Sequence, residues 1–202
     1  NSLSVLILCG GEGQRLRPIT TTTPKPMIDV GGMPIIERMV RTLSKLGIPK
    51  IYISINYQGH FIENHFQNGD SFGVEIEYLR ESEKLGTAGS LSLLPQKPKG
   101  PILVVNGDIL TASDYGKLLS HHREMNALIT VGAVQYQLDI PFGVLKTNGA
   151  KVESLAEKPT QRVLCNAGIY VLSPDALNIL IPERRTDMTE LIENATMDGK
   201  NV

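Results

Sequence analysis

Cysteine is scarce. Cys9 and Cys165 are the only two in 202 residues, too few for a disulfide framework, and no Cys/His spacing around them suits zinc. Both read as buried or half-buried thiols. The four histidines, His60, His65, His121 and His122, form no ligand pattern either, and the His121-His122 pair reads as solvent-exposed on a polar helix. No apolar run approaches the roughly 20 residues a bilayer span requires, and no basic segment with a long apolar core opens the chain. No membrane partner is expected, and the default compartment is cytoplasmic. With 20 Lys and Arg against 21 Asp and Glu, the net charge of -1 supplies no general field for nucleic acid, so basic residues matter locally. There is no internal repeat and no disordered linker. What remains, 41% hydrophobic and 20% charged, suits one domain over residues 1–202. The absence of Met at position 1 suggests a piece of a longer protein.

The stretch 6–27, LILCGGEGQRLRPITTTTPKPM, organises the rest. An apolar run ends abruptly at Gly10, Gly11 and Gly13, so a buried strand delivers an unshielded loop whose backbone N–H groups can touch a ligand. Arg15, Arg17 and Lys25 against Glu12 make the neighbourhood basic, which favours an anion, and forked Arg with mobile Lys suits a polyphosphate. No Gly-Lys-Ser/Thr follows, which excludes a Walker loop, and Leu16 stands where the dinucleotide fingerprint needs Gly or Ala. A bare Gly-Gly-x-Gly reads equally well as a tight turn beside solvated basic residues. The run Thr20 to Thr23 reads as a mobile loop over the site.

Further along, strand and helix signals alternate. A helix is expected over 34–46, a strand at 51–55, a short helix at 60–66, a strand at 74–79, a helix at 87–94 and a strand at 102–105. A helix over 113–123 and a strand over 127–134 follow. This rhythm predicts an α/β fold, a doubly wound, mostly parallel, Rossmann-like sheet whose ligands gather at the strand ends. From residue 142 the segments shorten to 142–146, 152–156 and 167–172, with Asn148-Gly149 as a hairpin signal, so an antiparallel addition is expected. The segments 174–180 and 187–197 read as helical, and Asn201-Val202 as the start of another strand.

Asp108 follows a buried strand, where a carboxylate can hold magnesium together with substrate phosphates or can simply close a turn. Glu81 precedes Leu85-Gly86-Thr87-Ala88-Gly89, whose small residues would let a flat base approach; Glu81 can equally be a solvated strand-end acid. Glu157-Lys158-Pro159 taken alone is a surface turn, and Arg162, Arg184 and Arg185 are most simply solvated charges.

Leu8, Gly10, Gly11, Gly13, Arg15, Leu16, Pro18, Thr20, Pro24, Lys25 and Pro26 together match the signature Leu-x-Gly-Gly-x-Gly-x-Arg-Leu-x-Pro-x-Thr, then Pro-Lys-Pro. On these residues the chain resembles the sugar-1-phosphate nucleotidyltransferases, closest to the mannose-1-phosphate guanylyltransferases; Cys9 and Gln14 are its less usual positions. The resemblance implies the nucleotide-diphospho-sugar transferase fold, with nucleoside triphosphate and sugar 1-phosphate as partners, Mg2+ as cofactor, and room for a homo-oligomer. It implies catalytic roles for Arg15, Lys25 and Asp108, the last also as metal ligand, and nucleotide contacts from Leu8, Gly10, Gly11, Gly13, Glu81, Gly86 and Thr87. Gly143, Glu157, Lys158 and Asn166 would then hold the sugar phosphate. A second acidic metal ligand usually comes from beyond the matched stretch, so the resemblance implies C-terminal truncation, with Asp187 and Asp198 the late candidates.

An ionised carboxylate only accepts hydrogen bonds, and guanine presents two adjacent donors, so Glu81 favours GTP over UTP or dTTP; a nucleotidyltransferase using UTP, dTTP or CTP is the alternative. Mannose 1-phosphate is the first acceptor expected, ahead of glucose 1-phosphate and a heptose phosphate. A nucleotide-binding or regulatory module without efficient turnover is the rival. A glycosyltransferase would usually show Asp-x-Asp where this chain has Asn106-Gly107-Asp108.

Overall fold

Val5, Leu6 and Ile7 are fully buried because strand β1 (Ser4–Leu8) lies inside a sheet, with neighbours on both sides. The computed structural model describes residues 3–11, 13–182 and 184–202. Glu12 and the side chain of Arg15, both part of the expected phosphate loop, lie outside what is described. After β1 come α1 (Ile35–Lys45), β2 (Lys50–Ile55), α2 (Gly59–Phe66), β3 (Glu75–Arg80), α3 (Gly86–Gly89), β4 (Ile102–Asn106) and α4 (Tyr115–Glu124). Then follow β5 (Ile129–Asp139), β6 (Val144–Asn148), β7 (Lys151–Ala156), β8 (Thr160–Leu172) and α5 (Met188–Met197).

Six strands form one sheet in the order β3-β2-β1-β4-β8-β5. The β3-β2-β1-β4 part is parallel and β8 runs antiparallel to β4, so the expected mixed, doubly wound architecture is the observed one. Alternation along the central strands explains their continuous apolar runs. Leu6, Ile102 and Val104 belong to a core completed by Leu172, Leu191 and Ala195, while Val5, Ile7, Leu103 and Val105 are equally buried on the opposite face. Chain order reverses between β1 and β4, which creates a topological switch point, the place where open α/β sheets leave a crevice.

Contacts divide the chain into two compact units, one comprising residues up to Val131 with Gly168–Val202, the other Gly132–Ala167. In the second unit β6 and β7 pair antiparallel, Leu145 opposite Leu155, as the Asn148-Gly149 signal predicts. Gly149 takes φ +59°, a left-handed turn that glycine accepts without strain. Cys9 is buried, but Cys165, in the second unit, is exposed, contrary to expectation. Among the described residues no helix is long and apolar enough to cross a membrane.

Several elements differ from the sequence-based expectation. The helix expected over 87–94 stops at Gly89 and continues as a 3-10 turn, Ser90–Leu93, and the segment after Ser173 is likewise 3-10, Pro174–Ile179. Asn201 forms no strand, yet its carbonyl accepts from Leu128 N at 2.8 Å, beside the start of β5. Thr20 is 1% exposed and its Oγ1 donates to Gly13 O at 2.8 Å, so it is pinned rather than mobile.

His122 is buried, not solvent-exposed on α4 as expected. Ser173 Oγ donates to Ala127 O at 2.8 Å, so it accepts from His122 Nε2 at 3.1 Å. In the neutral ring with its proton on Nε2, Nδ1 accepts from Thr130 Oγ1 at 2.8 Å. Burial, helped by the charges of Arg123 and His121, holds the ring's pKa below the ordinary 6.5. The unfolded chain takes up this proton first, so the stabilisation is present above the ordinary value and is lost as pH falls from there through the lowered folded value. Melting scans from about pH 7.5 to about pH 5.5 should show a fall in Tm that shrinks in His122→Gln; an equal fall in both proteins would contradict this assignment.

Candidate active site

Register explains why distant residues meet. In the parallel pairing of β1 and β4, Leu8 lies opposite Asn106, so Gly10 and Asp108 each stand two residues beyond paired strand ends at the same carboxyl edge. The bond from Gly107 N to Leu8 O, 2.8 Å, extends that pairing into the loops. On the other side of β1, Cys9 N donates to Ser54 O at 2.9 Å, and Glu81 N donates to Ile55 O at 3.0 Å, which brings the end of β3 to the same edge.

These ends surround a cavity of about 490 Å³, within the roughly 300–1,000 Å³ range of small-molecule sites. Of the expected nucleotide and catalytic residues, Leu8, Gly10, Gly11, Gly13, Lys25, Glu81, Gly86, Thr87 and Asp108 line it. Gly143, Glu157, Lys158 and Asn166 belong instead to the second unit. There a Cβ on Gly143 would sit 3.1 Å from Glu157 Oε2, which brings those two together, and Lys158 takes φ +44°, a left-handed conformation uncommon outside glycine.

One wall of the cavity is open-backboned and carries an ion pair. Gly13 takes φ +61°, and a Cβ there would press on Thr20 and Lys25, so the loop closes tightly only with glycine. Lys25 Nζ donates to Asp108 Oδ2, and both side chains remain about one-third exposed, at 35% and 32%. Behind them, burial and secondarily the Asp108 carboxylate push the Cys9 thiol far up, so it stays protonated and serves as packing rather than as a nucleophile.

Glu81 also lines the cavity, against the start of the glycine loop. Ser54 Oγ donates to its Oε1, Leu85 N to its Oε2 at 3.1 Å, and Asn56 Nδ2 to its main-chain carbonyl at 2.8 Å. The carboxylate is thereby fixed, with lone pairs left over for a ligand. A Cβ on Gly10 would come within 3.2 Å of Glu81 Oε1, so glycine lets the acid lie against the loop. Next to it, a strap at 184–188 docks on α3. Ala88 N and Gly89 N both donate to Thr186 O at 3.0 Å, Thr186 N to Leu85 O at 2.8 Å, and Met188 N to Thr87 Oγ1 at 2.7 Å.

Sequence reading did not place Ser54, Lys84, Asn106 or Arg185 in the lining, whereas Asp187, a late candidate for a second metal ligand, does line it. Ser54 and Asn106 are near the carboxyl ends of their strands, which is a usable signal. The strap residues carry none, because their position follows from hydrogen bonds across about a hundred residues of chain.

The lining suits a divalent ion in a limited way. Asp108 offers one carboxylate, and Asn106 Oδ1, two residues earlier, is buried without a partner among the described residues. No group of three or more His, Cys, Asp or Glu able to hold a metal occurs among them. One carboxylate fits magnesium, which commonly takes one or two and completes its shell with phosphates and water. It does not fit a metal requiring an all-protein cage.

The family profile described as nucleotidyl transferase matches residues 4–202. Mannose-1-phosphate guanyltransferase of Yarrowia lipolytica is 35% identical over 183 residues, 87% of this chain and 50% of that protein. Mannose-1-phosphate guanylyltransferase of Mycobacterium tuberculosis is 31% identical over 191 residues, 92% of this chain and 52% of that protein. The chain thus spans about half the length of the curated relatives it matches. Among solved structures, HddC from Yersinia pseudotuberculosis complexed with GMP-PN superposes with a TM-score of 0.68 at 25% identity, covering 93% of this chain and 83% of that one. With nearly every residue inside the matched profile and a shared fold beneath it, the chain belongs to the nucleotidyl transferase family.

Proposed function

We propose that this chain transfers a nucleoside monophosphate from GTP to a sugar 1-phosphate, mannose 1-phosphate first, and releases pyrophosphate. The observation that carries the reading is the shared cavity, lined by a glycine loop, Lys25 and Asp108 together with a fixed carboxylate, Glu81. The guanylyltransferase names of the relatives support the choice of base and sugar. In this reading an oxygen of the sugar phosphate attacks the α-phosphorus in line, the new O–P bond forms, and the bond to the β-phosphate oxygen breaks.

Phosphoryl-type transfer asks the protein mainly to align the reactants and absorb negative charge. Gly10, Gly11 and Gly13 present backbone N–H groups to the phosphates, Arg15 holds the β and γ groups, and Lys25 moves from Asp108 to the α-phosphate as charge develops there. Asp108 would hold magnesium; a bound Mg2+ supplies Lewis-acid neutralisation of the phosphates. Gly86 and Thr87 form the shelf for the base. Gly143, Glu157, Lys158 and Asn166 hold the sugar phosphate in this proposal, which for those four rests on their residue pattern. The location that goes with these substrates is cytoplasmic.

A pyrophosphate-release screen of four nucleoside triphosphates against mannose, glucose and heptose 1-phosphates tests the reading. GTP with mannose 1-phosphate should give the highest rate. Tight GTP binding with no release from any pair would instead identify a binding module. Base choice has its own check: Glu81→Gln should shift preference from GTP toward UTP, because an amide can donate to a uracil carbonyl as well as accept from N3–H. Unchanged preference in that variant would remove Glu81 from base recognition.

A further inference from the structure

The proposed function gives Glu81 the donor edge of the base and leaves the rest of the base unread. Arg185 lines the same cavity, and nothing in the phosphate chemistry employs it. Its position is fixed by its neighbour. Thr186 is 6% exposed and anchored through Leu85, whose N donates to Glu81 Oε2 at 3.1 Å and whose O accepts from Thr186 N at 2.8 Å. The backbone of a single residue therefore links the Glu81 carboxylate to the strap that bears Arg185. Asp187, on the other side, accepts from Thr87 N at 3.3 Å through Oδ1 and holds the Arg185 guanidinium at 3.7 Å from Oδ2. Adjacent Arg184 is engaged elsewhere, 3.2 Å from Glu190 Oε1. Arg185 is thus a cation stationed beside Thr87 and Asp187 in the cavity lining, with a side chain 70% exposed.

We propose that Arg185 reads the O6 and N7 acceptors of guanine while Glu81 accepts from N1–H and the 2-amino group, so that the two side chains together select the base. This rests on the GTP reading above and deepens it. Guanine alone among the bases offers two adjacent donors on one edge and two adjacent acceptors on the next, and a forked guanidinium matches that acceptor pair. Adenine would meet the same fork with N7 beside an amino donor, and pyrimidines have no N7. Lys84, also in the lining, is a point charge and cannot span both atoms.

Titration of this chain with GTP and with 7-deaza-GTP, which lacks only the N7 acceptor, tests the proposal. The wild type should bind 7-deaza-GTP about tenfold more weakly than GTP. In Arg185→Ala the affinity for GTP should fall by about the same factor and the difference between the two nucleotides should vanish; Lys84→Ala should preserve the difference. Loss of general packing or charge would weaken both nucleotides equally and keep their ratio, so an unchanged ratio in Arg185→Ala overturns this proposal while leaving the GTP reading intact. A wild type with no preference for GTP over the other triphosphates overturns both.

Discussion

Replacing Lys25 by alanine, or Asp108 by alanine, should lower the rate of the proposed pyrophosphate release by about a hundred- to a thousand-fold. In the proposed mechanism the first substitution removes a cation from the α-phosphate and the second removes the carboxylate that would hold magnesium, and losing one such charge contribution should raise the barrier by about 2 to 4 kcal/mol. The two differ in what they leave behind. Without Lys25 the Asp108 carboxylate loses its partner; without Asp108 the ammonium group is free to point into the cavity. Because both side chains are about one-third exposed, at 35% and 32%, water replaces the lost partner and the fold should lose less than about 1 kcal/mol. Melting curves recorded beside the kinetics therefore separate chemistry from folding. Near-normal turnover in both variants, with Tm unchanged, would dismiss this pair from the reaction.

The second large effect is on stability. Gly86 takes φ +79°, and a Cβ there would lie 2.6 Å from Thr186 O and 2.7 Å from Asp187 Oδ1. Gly86→Ala should therefore both strain the backbone and push the strap away from α3. A cost of about 2 to 3 kcal/mol corresponds to a fall of roughly 4 to 12 °C in Tm for a chain of this size. Affinity for GTP should fall with it, since the strap and Glu81 share Leu85. Gly11→Ala is the contrast: nothing lies within 4 Å of its would-be Cβ, so Tm should hold while a nucleotide that needs the bare backbone binds less well. Equal melting temperatures for all three proteins would show that the strap does not depend on Gly86.

The glycine loop and Asp108 were legible because their signals are local. A continuous apolar run stopped by Gly10-Gly11, and another stopped by Asn106-Gly107-Asp108, announce two buried parallel strands and their carboxyl ends. Parallel register then carries the two ends to one place. The docking of the strap was not legible, because Arg185 and Asp187, the latter named only as a late acidic candidate, acquire their position from bonds to Leu85 and Thr87 that no local pattern encodes. His122 misled for a related reason: its helix is polar around it, and only Thr130 and Ser173, supplied by later elements, make burial of an imidazole acceptable. The lengths of β5 and β8 were underestimated because their portions in the second unit are exposed and lack the apolar run that marks a core strand.

β8 is exposed over its first seven residues and buried over its last five, and β5 shows the reverse order, buried at Ile129 and exposed from Ala133 onward. The chain thus departs along one strand and comes home along its sheet neighbour, which makes Gly132–Ala167 a graft set between two adjacent stems. A graft of that kind can be exchanged for another of different sequence without re-threading the parent fold. Sugar choice, assigned in our proposal to Gly143, Glu157, Lys158 and Asn166, is therefore free to diverge in evolution independently of base choice, and a chimaera that swaps the graft is the natural way to reprogram one and keep the other.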